Sequence, residues 1–253
     1  MTRLTQGLCV VCAVSGAACG PRMDLGSNVL WSSDLETGDL SEWTAAPGGG
    51  PVPDPAGGLI EVVAGLSHSG THAIKLTNSA NMETDGPGVY RELVGPPELY
   101  YSVWYYLPVA NTTITQWTIQ KFRNRTADPT VLSENLDLDL RTLPGGQVVL
   151  YVFSHDPAYL QAPLADPVPF VPVARWFQIE TLYRPASDLS GKLVVYLDGK
   201  LVYDLENRRT TGGDDIVWTP CNVGTDIEPM PAVLYLDDAA ISLSRVGPQG
   251  VTK

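Results

Sequence analysis

The sequence contains little cysteine and few basic residues, and each shortage excludes a class of protein. Only four cysteines occur among 253 residues. Three of them precede the part of the chain that we expect to fold, so Cys221 alone can provide neither a disulfide framework nor a cysteine-based metal cluster. Sixteen Lys and Arg residues against 28 Asp and Glu residues give a net charge of −12. This charge argues against nucleic acid as a partner, because phosphates require a basic surface.

Helical periodicity is also missing from the sequence. No window repeats apolar residues at the spacing of a helix face, and no segment after the first 18 residues is apolar enough to span a membrane. Walker loops, zinc motifs and serine-nucleophile elbows are absent as well. Gly and Pro form about 18% of the chain, above the average of roughly 12%. This composition favours short strands joined by turns.

The first 18 residues have the layout of a secretory signal. Arg3 precedes the apolar stretch Leu8–Val14, and small residues then lead to Cys19. Because Ser15–Cys19 resembles a bacterial lipobox, we predict a signal peptide at 1–18, a lipid anchor at Cys19 and a linker at 19–28. The protein would then be an outer-membrane lipoprotein of the bacterial envelope, touching the membrane only through this anchor. Simple secretion after cleavage near residue 18 is the alternative.

The stretch Arg175–Leu205 contains the strongest local structural signal. A strand-like run around Phe177 and Ile179 is followed by a polar loop and then by two β-rich runs on either side of Asp198-Gly199. Asp-Gly between such runs predicts a tight hairpin, because glycine adopts positive φ without strain.

Strand alternation predicts a second, polar face on several segments. Leu99–Leu107 and Leu136–Arg141 both alternate in this way, as does the run around Phe177. Aromatic rings and hydrogen-bonding groups on such faces are suited to sugars, although an antiparallel sheet has a solvated face in any case. The candidate binding residues on these faces are Trp104, Tyr106, Asp137, Asp139, Arg141, Gln178 and Glu180.

Taken together, several segments resemble the concanavalin A-like jelly rolls, a group that includes polysaccharide lyases. They are Val29–Trp43, His68–Leu76, the hairpin segment and the closing strand Ala232–Ser244. The resemblance implies an all-β fold with two antiparallel sheets in a single domain at 29–247, followed by a tail at 248–253. In many such modules a carboxylate of the first strand and one of the last share a structural calcium. Glu36 and Asp238 are the candidates here, and no other cofactor is expected.

Arg91-Glu92-Leu93 and the following Leu99–Pro108 resemble, more narrowly, the lyases of the alginate-lyase and heparin-lyase type. In that family the arginine helps to neutralise a uronate carboxylate, and a strand with the pattern Q-x-H follows. Here Gln120 and Lys121 occupy that strand, but Phe122 stands where the histidine is expected; an alignment on Gln116 places Thr118 there instead.

A tyrosine on a late strand is the base and acid in these lyases, which makes Tyr235 the positional candidate. Tyr106, Tyr151 and Tyr196 remain alternatives. The pKa of such a tyrosine must be lowered by a cation, and Arg91 or Lys121 could do this. Trp218 follows a Gly/Asp-rich loop and is a candidate lid or subsite aromatic.

Because the expected histidine is missing, the sequence favours a monomeric, surface-anchored protein that binds a polysaccharide or oligosaccharide without catalysis. A lyase that cleaves uronate-containing glycans by β-elimination is the close alternative, so the sequence leaves open whether the protein is an enzyme. A glycosidase of the same fold would need two carboxylates about 5 Å apart, for which Glu134, Asp137 and Asp139 come nearest. A non-catalytic envelope protein is a further alternative.

Overall fold

The computed structural model describes residues 28–44, 58–81, 86–93, 96–113, 115–125, 132–156, 161–210 and 216–248, with the backbone alone at 132–135. The predicted signal peptide, the lipid anchor at Cys19 and the tail beyond residue 248 lie outside these ranges. Within the ranges every regular element is a β-strand. None of the described residues forms a helix with the length and hydropathy needed to cross a membrane.

Thirteen strands form in the described part of the chain. They are β1 (Val29–Ser33), β2 (Gly58–Ala64), β3 (His72–Asn78), β4 (Arg91–Glu92), β5 (Leu99–Tyr106), β6 (Gln116–Arg125), β7 (Leu132–Thr142), β8 (Val148–Ser154), β9 (Trp176–Arg184), β10 (Gly191–Leu197), β11 (Lys200–Arg208), β12 (Ile216–Thr225) and β13 (Ala232–Ser242).

The strands form two antiparallel sheets, as the sequence predicts. The large sheet has eight strands in the order β11-β10-β9-β5-β13-β3-β2, with β1 paired to β13 as well. The small sheet has five strands in the order β4-β12-β6-β7-β8. Strands distant in sequence lie side by side in both sheets, which is the arrangement of a jelly-roll sandwich.

The core lies between the two sheets and is formed by alternate side chains of their facing strands. Leu136, Leu138 and Leu140 of β7 point inward, as the alternation in this segment predicts. Large aromatic rings fill the centre: Phe122 of β6 stacks on Tyr183 of β9 with ring centroids 4.2 Å apart. The opposite face of each sheet is therefore left for other contacts.

The predicted hairpin is confirmed. β10 pairs with β11 through Leu197 and Lys200, and the two turn residues Asp198 and Gly199 have φ of 49° and 74°. Two consecutive positive φ angles match the primed turn that suits the right-handed twist of a hairpin.

Asn222 ties the two sheets together from inside the core. A bulge in β12 between Pro220 and Val223 accompanies this fully buried side chain. Its Oδ1 accepts a hydrogen bond from Trp117 Nε1 at 2.9 Å, while its Nδ2 donates to the carbonyls of Leu76 and Ala232 at 3.0 and 2.9 Å. This side chain of β12 thus joins two strands of the large sheet, β3 and β13, to two strands of the small sheet, β12 and β6.

The segment Arg245–Gly247 lies over part of the outer face of the large sheet. The carboxylate of Glu180 in β9 is completely buried and accepts hydrogen bonds from the backbone N–H of Val246 and of Gly247 and from Arg245 Nε, the last at 2.9 Å. Gln178 Nε2 donates to the Gly247 carbonyl at 2.8 Å. This end of the outer face is consequently covered.

Candidate functional site

The outer face of the small sheet carries a cluster of charged side chains. In the sheet register, Lys121 of β6 lies between Thr219 of β12 and Asp137 of β7, and directly paired residues share a face. Thr118 pairs in the same way with Asp139. We call this surface the charged face; its residues are Thr118, Lys121, Arg123, Asp137, Asp139, Arg141, Tyr151, His155 and Thr219.

The floor of the charged face is buried, whereas its rim is half-exposed. Lys121 and Asp137 are 0% exposed and Asp139 is 1% exposed. Several buried polar atoms of this face have no hydrogen-bond partner in the described part of the chain, among them Asp137 Oδ1, Asp139 Oδ1, Arg141 Nε and Thr219 Oγ1. Because buried polar groups are normally paired, their concentration on one face indicates a surface built for an external polar partner.

His155 follows β8 directly and reaches the charged face from its rim. Its Nε2 lies 3.2 Å from Asp137 Oδ2, and its side chain is 32% exposed. The ring also packs edge-on against Phe153, with centroids 4.9 Å apart. A buried carboxylate that holds an accessible imidazole fixes its orientation and stabilises the imidazolium, which is the usual support of a general base.

Asp139 and Tyr151 form a second pair on the charged face, directly opposite each other in β7 and β8. Burial, together with the negative charge of Asp137, raises the pKa of Asp139 to about 7. Burial and the charge of Asp139 also raise the pKa of Tyr151. The phenol therefore keeps its proton at neutral pH, and it donates to the Thr115 carbonyl at 3.0 Å.

Arg141 completes this part of the face. Its guanidinium carbon lies 4.6 Å from the centroid of the Tyr151 ring, a cation–π contact. With the amide of Gln161 turned so that its oxygen faces the guanidinium, that oxygen accepts from Arg141 Nη1 and Nη2 at 3.0 and 3.1 Å. These contacts hold the guanidinium near β8, the edge strand of the small sheet.

The charged face brings cations together in a chain of net charge −12. Lys121, Arg123 and Arg141 lie there beside the carboxylates of Asp137 and Asp139, and the register partner of Arg123 in β7 is Glu134. Since the pKa of Asp139 is raised to about 7, that carboxyl is only partly ionised near neutral pH. A group of cations on one face attracts the carboxylate of an anionic ligand locally, despite the overall charge.

The structure does not bring the four predicted catalytic residues together. Lys121 lies on the charged face, but Gln120 lies between the sheets, where it accepts from Tyr105 Oη at 3.3 Å. Arg91 shares the inner face with its partner Trp218; its guanidinium carbon lies 4.8 Å from the centroid of Trp31. Tyr235 belongs to the large sheet and lies on its outer face, so the thickness of the sandwich separates it from Lys121.

The predicted binding residues divide between the two sheets. Asp137, Asp139 and Arg141 lie on the charged face, whereas the other four belong to β5 and β9 and lie on the outer face of the large sheet. Two of those four, Gln178 and Glu180, are 0% exposed beneath the C-terminal segment. That segment covers both side chains, and sugar binding by these two residues stays a prediction.

Trp218 is not a lid residue. It is 0% exposed and packs in the core against Trp43 and Tyr101, with centroids 6.0 and 5.5 Å away. Its position in β12, directly opposite Phe122, explains this burial.

The predicted calcium ligands Glu36 and Asp238 hold the same turn at 68–72. Glu36 accepts from the N–H groups of Thr71 and His72 at 2.7 and 3.0 Å, and Asp238 contacts His68 Nδ1 at 2.6 Å and accepts from Ser69 Oγ at 2.8 Å. Calcium requires six to eight oxygens. The described residues contain no group of three or more His, Cys, Asp or Glu that could hold a metal, and calcium stays a prediction.

Arg123 and His155 were not predicted from the sequence. Arg123 lies two residues after Lys121 on an uninterrupted part of β6, so strand alternation could have placed it on the same face. No local signal marks His155, because it reaches Asp137 only through the pairing of β7 with β8. Phe122, which stands at the expected histidine position, points into the core.

No protein-family model matches the chain, and no curated protein sequence matches it. Solved structures do resemble it. The endo-β-1,4-glucuronan lyase of the fungus Trichoderma reesei is 16% identical, with a TM-score of 0.64 over 87% of this chain and 99% of the lyase. The cellulose-induced protein Cip1 is 17% identical, with a TM-score of 0.59 over 85% and 98%.

Alginate lyase vAL-1 from a Chlorella virus is 14% identical, with a TM-score of 0.57 over 85% of this chain and 99% of that lyase. Identities this low establish the fold and leave the activity to be argued from the site. The protein has the single-domain, all-β jelly-roll fold of polysaccharide lyases such as these.

Proposed function

We propose that the protein is a polysaccharide lyase that cleaves a uronate-containing glycan by β-elimination at the charged face. One observation carries the proposal: an imidazole held by a buried carboxylate lies on the same sheet face as three cations. The absence of a histidine from β6 argued against a lyase, and His155 supplies an imidazole from another strand. The fold supports the proposal, since lyases of glucuronan and of alginate share it.

The reaction assigns a task to each group of the charged face. Arg141 on the rim contacts the uronate carboxylate, and the charges of Lys121 and Arg123 in the buried floor beneath it add to its neutralisation, which lowers the pKa of the neighbouring C5–H. His155 removes the C5 proton, and Asp137 stabilises the imidazolium that forms. Electrons of the broken C–H bond form the C4–C5 double bond while the C4–O glycosidic bond breaks. Charge stabilisation of this kind is usually the largest catalytic contribution.

The leaving oxygen requires a proton, and Tyr151 is the donor that we propose, its hydroxyl turning from the Thr115 carbonyl to the leaving oxygen. Because burial and the charge of Asp139 raise the pKa of Tyr151, this phenol holds its proton at neutral pH. A tyrosine in this state acts as an acid and not as a base, so the base and the acid of the reaction are two different residues.

A second candidate function is glycan binding without catalysis at the same face. The burial of Lys121 and Asp137 favours it, because a buried floor leaves only rim residues such as His155 and Arg141 for a ligand. The predicted envelope location, lipid anchor and monomeric state apply equally to both functions and stay predictions.

The first experiment is an ultraviolet assay of the purified protein with polyglucuronate, alginate, a heparin-type glycan and a neutral glucan. Elimination creates a conjugated double bond that absorbs where the substrate does not. We expect absorbance to rise with a uronate polymer and the rate to fall about 10²–10⁴-fold in His155→Ala. His72→Ala is the matched control, since His72 begins β3 of the large sheet, and its rate should match that of the wild type.

Two outcomes would refute the proposal. Flat traces with retained binding to polyuronate would establish the binding function instead. Activity that survives His155→Ala but is lost in Tyr235→Phe would show that catalysis takes place on the large sheet.

A further inference from the structure

Five residues form a straight row across the outer face of the large sheet. In the register of five adjacent strands, Glu61 lies opposite Lys75, Lys75 opposite Tyr235, Tyr235 opposite Tyr106, and Tyr106 opposite Trp176. We call this set the outer row. With strands about 4.8 Å apart, its four intervals span about 19 Å.

Three of the five residues are aromatic, and their rings form a continuous strip. The ring centroid of Tyr106 lies 6.0 Å from that of Tyr235 and 5.5 Å from that of Trp176. All three side chains are half-buried, so each ring packs on the sheet and presents the rest of its surface to solvent. A solvated sheet face normally carries polar side chains, and adjoining half-exposed rings are typical of a binding surface.

A second observation lies next to the strip. The ring of His68 stacks on Trp104 with centroids 3.7 Å apart and approaches Trp176 at 5.9 Å. Trp104 is 8% exposed, yet its Nε1 donates to no group in the described part of the chain. A buried indole N–H without an acceptor is costly, and its position beside the strip indicates that an acceptor arrives from outside.

The charges of the outer row favour an uncharged ligand. Its only ionised groups are Lys75 and Glu61, which form an ion pair at 3.3 Å and so cancel. The charged face on the small sheet, in contrast, carries several ionisable groups, among them Lys121, Arg141 and Asp137. Rings that stack on C–H surfaces, together with a paired Lys and Glu that can bind hydroxyl groups, suit a neutral sugar chain.

We propose that the outer row is a second glycan-binding surface, specific for a soluble, neutral polysaccharide chain and independent of the charged face. The angles between the rings define the form of the ligand. Tyr106 and Tyr235 are inclined at 80°, and Tyr106 and Trp176 at 54°. Such a strip is ridged, so it fits a single twisted chain and not the flat surface of a crystalline polymer. Binding at the outer row holds the protein on a glycan that contains neutral chains, while the small sheet with the charged face stays exposed to solvent.

Affinity electrophoresis tests the proposal. The full-length protein is run in native gels that contain hydroxyethylcellulose, a mixed-linkage β-glucan or polyglucuronate. We expect the neutral polymers to retard the wild type, and Trp176→Ala and Tyr106→Ala to weaken this binding roughly 3- to 10-fold each. Phe170→Ala is the matched control, because Phe170 is an aromatic residue of 53% exposure that lies beside β8 of the small sheet.

Further measurements distinguish glycan binding at the outer row from a structural role of its rings and from dimerisation. His155→Ala must leave retardation by neutral glucan unchanged, so a failure of the lyase proposal does not affect this test. Melting temperatures of the variants show whether they fold. The proposal is overturned if no neutral polymer retards the wild type, or if the ring variants lose stability while their retardation stays that of the wild type. It is also overturned if light scattering shows a dimer that Trp176→Ala dissociates, because the outer row would then bind a second copy of the chain.

Discussion

Replacing Asn222 with Ala should destabilise the protein by about 3 kcal/mol. The side chain makes three hydrogen bonds inside the core, to Trp117, Leu76 and Ala232. A buried hydrogen bond contributes about 1 kcal/mol net, and here all three are lost at once without water to replace them. For a domain of this size, a loss of 1 kcal/mol lowers the melting temperature by about 2–4 °C, so we expect a decrease of about 6–12 °C.

Urea unfolding followed by tryptophan fluorescence measures this effect, with the slope m unchanged if only the native state is affected. Asn28→Ala is the matched control: Asn28 donates one exposed hydrogen bond to Ser244, and its loss should change stability by less than about 0.5 kcal/mol.

A double-mutant cycle with Trp117→Phe isolates one of the three bonds, because both single variants remove it. The double variant should therefore be more stable than the sum of the single effects predicts, by about 0.5 kcal/mol or more. A loss below about 1 kcal/mol in Asn222→Ala, or strict additivity in the cycle, would refute the inference that Asn222 joins the two sheets.

Two further predictions concern buried ionisable groups. Burial and the charge of Asp137 raise the pKa of Asp139 to about 7, so the folded state keeps a proton that the unfolded chain releases above about pH 4. The free energy of unfolding therefore falls as the pH rises from about 4 to about 7. Asp139→Asn removes this loss, so the melting temperature of the variant minus that of the wild type should be larger at pH 8 than at pH 5. Equal differences at the two pH values would contradict a raised pKa of Asp139. Burial raises the pKa of Cys221 to about 12, so iodoacetamide should label the peptide that carries Cys221 only after urea is added. Mass spectrometry measures this labelling, and rapid labelling of the native protein would contradict the burial of Cys221.

Strand alternation placed three of the candidate residues on one face correctly, because it is a local property. Asp137, Asp139 and Arg141 alternate with three leucines, so they had to share the face opposite the core. The tight hairpin at Asp198-Gly199 was predictable for a similar reason, since the positive φ of a primed turn restricts its residues.

Sheet membership could not be predicted in this way. Alternation places Tyr106 and Asp137 equally well on polar faces, but β5 belongs to the large sheet and β7 to the small sheet. Which strands become neighbours depends on pairing between distant segments, so the candidate binding residues divide between two separate surfaces that the sequence does not distinguish.

A bulge and a distant contact account for two other differences. The register of β6 shifts between Thr118 and Gln120, and Gln120 turns toward Tyr105 in the core although a regular strand would place it on the same face as Thr118. His155 was overlooked because the family resemblance placed the histidine on β6. Its function depends on a three-dimensional contact with Asp137 that no sequence spacing records.

The position of β13 has a consequence for how this protein is made. β13 follows the other twelve strands along the chain, yet it lies in the interior of the large sheet, hydrogen-bonded to β5, β3 and β1. As the ribosome releases the chain from its beginning, β5 and β3 must wait with unpaired edges until residues 232–242 have emerged. Exposed edges of this kind invite association with other chains. Prompt completion of synthesis, or a chaperone that shields these two strands, therefore protects the nascent protein from aggregation.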